Sequence, residues 1–204
     1  MIFKNFKRRR WLWPAAISIV LLLFLGFLTL GFLLKRASPA APSGTAHAKA
    51  APASQNYRGL PTRLKIPSIK VDAAVEYMGN TAGGDMAVPD SLGDVGWYKY
   101  GPLPGEAGSA VIAGHVVGFH NEPGVFEKLD KLKPGDLVSM TDTKGQTASF
   151  TVRRTKIYDP TEEHQEVFNS VIGTHLNLIT CAGDWDAQHL HYLKRLVVFT
   201  DRTP

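Results

Sequence analysis

The sequence predicts an all-β domain, either a sandwich or a barrel, that follows an N-terminal membrane-spanning helix and a linker. Short apolar stretches rich in β-branched residues recur after Leu60, and clusters of Gly, Pro and Asn separate them. This pattern is typical of folds built from several short strands. The second observation is one long apolar run near the N-terminus, which differs clearly from the short stretches that follow it.

The apolar run covers residues 11–34, and its 24 residues carry no charge. A helix rises about 1.5 Å per residue, so this run can cross a hydrocarbon core of about 30 Å. Five basic residues lie within residues 1–10, whereas only two follow the run closely. The positive-inside rule therefore predicts a cytoplasmic tail (1–10), a single-pass transmembrane helix (11–34) and an extracytoplasmic remainder. The alternative is a cleaved signal peptide, but its apolar region is normally only about 7–15 residues long.

Residues 35–59 are rich in Ala, Pro and Ser, and they predict an extended, mobile linker before a domain of residues 60–204. The excess of basic over acidic residues is confined to the N-terminus. Residues 1–36 hold seven Lys or Arg and no Asp or Glu, whereas the remainder holds 16 basic and 18 acidic residues. Because no basic stripe with interleaved aromatic residues is present, we expect no binding of nucleic acid.

Within the domain, the apolar pattern predicts the following strand segments, the first of them interrupted by Pro67: TRLKIPSIKVDAAVEYM, GSAVIAGHVV, GDLVSMTD, QTASFTVRRTKIY, LNLITC and LKRLVVFTD. The apolar residues of GVFEKLDKL fall at helical spacing and predict a helical turn. The segment EEHQEVFNSV predicts either a second short helix or an ordered loop. About 145 residues are enough for one packed core.

The chain has a single cysteine, Cys181, at the predicted end of the strand LNLITC. An unpaired cysteine can be a buried small hydrophobe, an intermolecular linker or a nucleophile. A free thiol is vulnerable to oxidation outside the cytoplasm unless its chemistry is useful. The turn-forming residues AGDWD that follow it favour a cleft, and we therefore favour the nucleophile.

A nucleophilic cysteine requires a base and a group that stabilises negative charge. His115 directly follows Gly114 at the end of the strand SAVIAGH, which makes it the best candidate base. Arg195 lies in a strand-like segment fourteen residues after the cysteine, where a hairpin would bring the two together. Strand alternation predicts that Lys194 points to the opposite face.

The other histidines give weaker signals. His120 and His164 are predicted in loops, and His175 is predicted at the start of the cysteine strand. His189 and His191 are two residues apart but lack a third ligand at a metal-binding spacing, so we expect no metal and no cofactor. The acidic group Glu162, Glu163 and Glu166 is interpreted as a solvated loop face rather than a calcium site.

At these segments the chain resembles the sortase family. LNLITC is similar to the family signature Thr-Leu-x-Thr-Cys, with Asn177 where Thr is usual. SAVIAGH resembles the strand that carries the family histidine, with Val116 after it where a polar residue is frequent, and YLKRLVVF resembles the strand that carries the arginine. The resemblance implies a closed β-barrel of about eight strands with one or two short helices. It also implies catalytic roles for His115, Cys181 and Arg195, and a substrate-binding role for Thr180.

The chain is most similar to the class F-like sortases of high-GC Gram-positive bacteria. The resemblance implies cleavage of a Leu-Pro-x-Thr-Gly-like sorting signal between Thr and Gly, through a thioester on the cysteine. The acyl group then passes to an amine of the cell wall, on lipid II or a peptidoglycan peptide, or to a pilin. Pilus-building class C sortases carry an Asp-Pro-aromatic motif in an N-terminal lid, and residues 37–59 hold no Asp. The sequence thus favours single-protein anchoring.

Three alternatives remain at this stage. Another cell-wall cysteine acyl-transferase or peptidase is disfavoured because the histidine precedes the cysteine here, and because the Ser-His-Gly-Cys motif of L,D-transpeptidases is absent. A non-catalytic, membrane-tethered β module would leave the three candidate residues far apart. The tripeptide Leu60-Pro61-Thr62 suggests a sorting substrate, but such a motif belongs near the C-terminus.

Overall fold

The computed structural model describes residues 2–4, 59–160, 165–170, 172–188 and 191–203. The chain divides into two units, Met1–Phe6 with Pro52–Pro204, and Lys7–Ala51. The predicted transmembrane helix and nearly all of the predicted linker lie outside the described residues. Within the described ranges, no helix has the length and apolar character needed to span a membrane.

Eight strands form a closed barrel, and two short strands pair beside it. In chain order the strands are β1 (Ile2–Lys4), β2 (Pro61–Ile66), β3 (Val71–Met78), β4 (Asp85–Met86), β5 (Val95–Tyr98), β6 (Gly108–Ala113), β7 (Leu137–Asp142), β8 (Thr147–Tyr158), β9 (Thr174–Asp186) and β10 (His191–Arg202). The barrel has the order β10-β8-β7-β2-β3-β5-β6-β9, and β1 pairs with β4. Within the barrel, β3–β5 and β6–β9 are parallel and the other described pairs are antiparallel. The predicted all-β closed barrel of about eight strands is confirmed.

Alternating side chains divide the apolar residues into an inner and an outer cluster. The inner cluster fills the barrel and includes Leu178 of β9 and Leu196 of β10. The outer cluster includes Ile179 and Val197, which neighbour those residues in sequence and therefore point to the other face. Each such buried side chain stabilises the fold by about 1.5–3 kcal/mol.

The predicted helical turn is present, and the segment for which the sequence left a short helix or an ordered loop open is a short helix. A 3-10 helix covers Leu129–Lys131, and helix α1 covers Gln165–Phe168. A third segment, the 3-10 helix Pro67–Ile69, was not predicted. Pro67 lacks a backbone N–H and so ends β2, and Lys70 with φ +59° turns the chain into β3.

The prediction that the cysteine strand ends at Cys181 is wrong. Strand β9 continues to Asp186 because it remains paired with β10, with Trp185 opposite Tyr192. A register shift interrupts this extension between Tyr192 and Lys194. Gly183, with φ +76°, lies in the irregular part of β9, a conformation that favours glycine. The turn-forming residues after the cysteine therefore mark a bulge within a hairpin rather than a loop.

Candidate active site

Cys181 and Arg195 lie directly opposite each other in the antiparallel pair β9–β10. Residues opposite each other in such a pair present their side chains on the same face of the sheet. Cys181 is partly exposed, whereas Arg195 is only 2% exposed. A buried guanidinium therefore lies beside an accessible thiol.

His115 reaches the same level from the other side of β9. In the parallel pair β6–β9, Ala113 is the register partner of Ile179, and the backbone N–H of Gly114 donates to the Ile179 carbonyl over 3.1 Å. His115 and Cys181 each lie two residues beyond that register pair. Neighbouring strands are about 4.8 Å apart, so the chain that leaves β6 carries His115 along the side of β9 that is opposite β10 and Arg195.

The thiol and the guanidinium belong to the outer face of the barrel. Cys181 lies two residues after Ile179, and Arg195 two residues before Val197, so each points to the same face as that neighbour. Ile179 and Val197 belong to the outer cluster, which also includes Val167 of α1. Cys181 is partly exposed on this face.

Backbone groups hold His115 from two sides, and sequence analysis missed them. The ring nitrogen Nε2 lies 2.7 Å from the carbonyl oxygen of Pro89. The carbonyl oxygen of His115 accepts a hydrogen bond from the backbone N–H of Phe126 over 2.9 Å. Gly124 packs so closely that a Cβ atom there would lie 2.3 Å from the His115 oxygen. The only sequence signal was a glycine just before the predicted helical turn.

Thr180, the predicted substrate-binding residue, is 2% exposed, and its hydroxyl donates to the Gly114 carbonyl over 2.8 Å. Strand alternation turns it to the face opposite Cys181. The contact fixes the residue that precedes His115, and the role of Thr180 in substrate binding stays a prediction.

Backbone carbonyl groups orient the Arg195 side chain. Its Nη1 donates to the carbonyl oxygens of Tyr192 and Lys194, each over 2.8 Å. Lys194 is more exposed, and its Nζ lies 3.0 Å from Oδ2 of Asp159. The difference in burial between Arg195 and Lys194 agrees with the predicted alternation.

The remaining histidines take no part in this arrangement as far as the structure describes them. His175 lies at the start of its strand as predicted, with Nδ1 2.8 Å from Oδ1 of Asp201 and Nε2 2.7 Å from the Ile172 carbonyl oxygen. His191 donates from Nδ1 to the Tyr192 carbonyl over 3.1 Å, and His120 is exposed in a turn. His164 and His189 lie outside the described residues. Among the side chains that are described, His, Cys, Asp and Glu form no group of three that could hold a metal ion.

Helix α1 is attached to the barrel beside the site. Asn177, which stands where the family signature has Thr, donates from Nδ2 to the Val167 carbonyl over 2.7 Å. Glu166 accepts hydrogen bonds from the Tyr158 hydroxyl, Lys156 and Arg154. These contacts, the Tyr158 hydroxyl above all, lower the pKa of the Glu166 carboxyl from 4.5 to about 2. The interpretation of Glu166 as part of a solvated loop face is wrong, because this residue lies in helix α1 and is bonded to three side chains of β8. Glu162 and Glu163 lie outside the described residues, so the solvated face remains a prediction for them.

The comparisons with known proteins agree with the resemblance noted in the sequence. The family model for the Sortase domain matches residues 64–203, more than two thirds of the chain. Sortase C-1 from Actinomyces oris is 27% identical, with a TM-score of 0.55 over 70% of this chain and 73% of that chain. A search of curated proteins finds no significant match.

Two further solved structures share the fold at lower identity. Sortase C from Clostridium perfringens SM101 is 24% identical, with a TM-score of 0.53 over 71% of this chain and 70% of that chain. Sortase A from Corynebacterium diphtheriae is 21% identical, with a TM-score of 0.55 over 72% of this chain and 62% of that chain. These neighbours carry class C and class A names, and the F-like subclass stays a prediction. The match of the family model over residues 64–203, on an eight-stranded barrel with this arrangement of residues, shows that the chain belongs to the sortase family of cysteine transpeptidases.

Proposed function

We propose that this sortase is membrane-anchored and cleaves a Leu-Pro-x-Thr-Gly-like sorting signal between Thr and Gly, and that it transfers the protein to a cell-wall amine. One observation carries the chemical part of the proposal. Cys181 of β9 lies opposite Arg195 of β10, His115 follows the end of β6 on the other side of β9, and Cys181 is partly exposed. This arrangement provides a nucleophile, a proton carrier and a fixed positive charge.

In the first half-reaction, the Cys181 thiolate attacks the carbonyl carbon of the Thr residue and forms a carbon–sulfur bond. Arg195 stabilises the negative charge that develops on the carbonyl oxygen. The carbon–nitrogen bond then breaks, and the leaving amine of Gly takes a proton from the protonated His115. The products are a thioester on Cys181 and a free peptide that begins with Gly.

In the second half-reaction, an amine of the acceptor attacks the thioester carbon. His115 accepts the proton that the amine loses, and the carbon–sulfur bond breaks to regenerate the thiolate. The new amide bond links the protein to lipid II or to a peptidoglycan peptide. The absence of Asp from residues 37–59 favours anchoring of single proteins, and a place in the F-like subclass is consistent with that.

The proposed location is the cell membrane, with residues 1–10 in the cytoplasm, residues 11–34 across the bilayer and the barrel outside. The charge distribution around the apolar run supports this orientation. This orientation places residues 2–4 on the opposite side of the membrane from the barrel. The pairing of β1 with β4 requires them on the same side, so the two exclude each other. The proposal therefore requires that β1 is unpaired in the cell.

The unique cysteine allows a direct test of the orientation. A membrane-impermeant maleimide should modify the full-length protein in intact cells, and Cys181→Ala should remain unmodified. Modification only after the cells are permeabilised would place the barrel in the cytoplasm and contradict the proposed location.

The chemistry is tested with purified full-length protein, a library of sorting peptides and an amine acceptor. Mass spectrometry should detect a thioester on Cys181 without the acceptor and the transpeptidation product with it. Cys181→Ala should give neither product, because no other side chain can form the thioester. Cleavage that survives this substitution would exclude the proposed mechanism, and no cleavage of any peptide would favour a non-catalytic module.

A further inference from the structure

The hydrogen bond between His115 and Pro89 determines where the imidazole can carry its proton. A carbonyl oxygen has lone pairs and no hydrogen, so it can only accept. Nε2 of His115 lies 2.7 Å from the Pro89 oxygen and must therefore be the donor. The neutral imidazole has one N–H, so its free lone pair lies on Nδ1.

The accepting carbonyl belongs to a segment that is itself held in place. Pro89 is buried, and its ring packs over Gly96 of β5, where a Cβ atom would lie 3.1 Å from the proline Cδ. Three residues further on, the Leu92 carbonyl accepts a hydrogen bond from the backbone N–H of Val125 over 2.8 Å. The next residue, Phe126, donates its backbone N–H to the carbonyl of His115. The segment that provides the acceptor for the His115 ring is therefore bonded to the turn that holds the His115 backbone.

We infer that Nδ1 of His115 is the atom that exchanges protons during the reaction, and that the Pro89 carbonyl is the positioning group that fixes this choice. The inference rests on the proposed transpeptidation. In the first half-reaction the Nδ1 proton of the imidazolium moves to the leaving amine, which gives the neutral Nε2–H form. In the second, Nδ1 accepts the proton of the attacking amine. The Nε2–H bond to Pro89 is retained throughout.

Proton exchange through Nε2 would have a different consequence. Each half-reaction would then break the bond to Pro89 and leave a carbonyl of a buried residue without this donor. The bond also becomes charge-assisted when the imidazole is protonated, so it steadies the ring in the state that donates to the leaving amine. Both effects favour Nδ1 as the reacting nitrogen.

The tautomer is measured directly by nitrogen-15 spectroscopy of the imidazole rings in the full-length protein, with His115→Gln to identify the signals of this ring. In the neutral form we expect the proton on Nε2 and an unprotonated Nδ1. A neutral ring protonated on Nδ1 would overturn the inference. This measurement needs no turnover, so its result does not depend on whether the proposed reaction occurs.

The reacting nitrogen is tested by replacing His115 with each of two methylated histidines. Methylation of Nδ1 blocks proton exchange and should lower kcat by about 10²–10⁴-fold, as expected for loss of a general acid–base group. Methylation of Nε2 removes the Pro89 bond but leaves Nδ1 basic, so this protein should retain at least about tenfold more activity. Greater activity of the Nδ1-methylated protein would overturn the inference. A wild-type protein that forms no thioester would overturn the proposed function, and the proton-transfer role with it, while the tautomer assignment would stand.

Discussion

The hydroxyl of Thr180 donates a hydrogen bond to the carbonyl of Gly114, so the residue before the candidate nucleophile holds the residue before the candidate base. This contact joins β9 to the segment that follows β6, where the register pairs end at Ala113. It therefore helps to set the spacing between Cys181 and His115.

Thr180→Val should lower kcat more than it changes KM, because it removes the hydroxyl donor and nearly keeps the volume of the side chain. The lost bond leaves a buried carbonyl unpaired, which should also destabilise the fold by about 1–3 kcal/mol. Thr180→Ser keeps the donor and serves as the control. Steady-state kinetics on a fluorogenic sorting peptide and urea denaturation measure the two effects. A rise in KM at constant kcat would instead support the predicted substrate-binding role.

Arg195 and Lys194 form a matched pair of neighbouring cations that should differ strongly in their effect on activity. Arg195→Lys should lower kcat by at least about 10²-fold, since an ammonium keeps the charge but loses the planar fork of donors. Arg195→Ala should be worse, because it also empties a buried position. Lys194→Ala should change activity little and stability by at most about 1 kcal/mol, because it loses only a partly exposed ion pair. A large loss of kcat in Lys194→Ala together with a small loss in Arg195→Ala would show that Lys194, and not Arg195, stabilises the negative charge.

Gly124→Ala should lower kcat although it replaces none of the proposed catalytic residues. The added methyl group would lie 2.3 Å from the backbone oxygen of His115, so the turn or the histidine must move. A displacement of about 1 Å can cost about 10²-fold in rate. Gly93→Ala is the control, because its Cβ atom would meet only Ser91 Oγ at 3.8 Å. Equal activity of the two variants, measured after circular dichroism confirms folding, would contradict the importance of this close approach.

Glu166 should make the stability of the domain depend on pH in the acid range. Its pKa is lowered to about 2 in the folded state from an ordinary 4.5, chiefly by the Tyr158 hydroxyl. A lowered carboxyl pKa stabilises the fold above about pH 4.5, and this contribution is lost as the pH falls from 4.5 toward 2. The side chain is 42% exposed, so solvent screening keeps the contribution small.

The test for Glu166 compares the melting temperatures of wild type and Glu166→Gln between pH 7 and pH 2. We expect wild type to melt higher at pH 7 and the difference to shrink below pH 4.5. Tyr158→Phe should reduce the wild-type advantage, since it removes the largest cause of the shift. A difference that is constant over the whole range would show that Glu166 acts through packing rather than charge.

The sequence predicted the strands whose apolar residues alternate clearly, such as β7 and β8, and the order of the site residues along the chain. It did not predict β5, because VGWY is only four residues long and all four are buried, so no alternation is visible. It misjudged the end of β9, since Gly183 and its neighbours carry the composition of a turn while pairing with β10. The Pro89 carbonyl was inaccessible to sequence reasoning, because a backbone acceptor has no residue-type signature.

Parallel pairing of β6 with β9 determines the order in which the site can assemble during folding. Cys181 and Arg195 belong to one hairpin and are fourteen residues apart, whereas Thr180 and Gly114 are separated by 66 residues. Non-local strand pairs form more slowly than local ones, because a long loop must close first. We therefore expect the β9–β10 hairpin to gain amide protection before β6 in pulsed hydrogen exchange, and activity to return only with β6. Simultaneous protection of the three strands would contradict this order. For a barrel outside the cytoplasm, as proposed above, the interval before β6 docks is when the thiol is most exposed to oxidation.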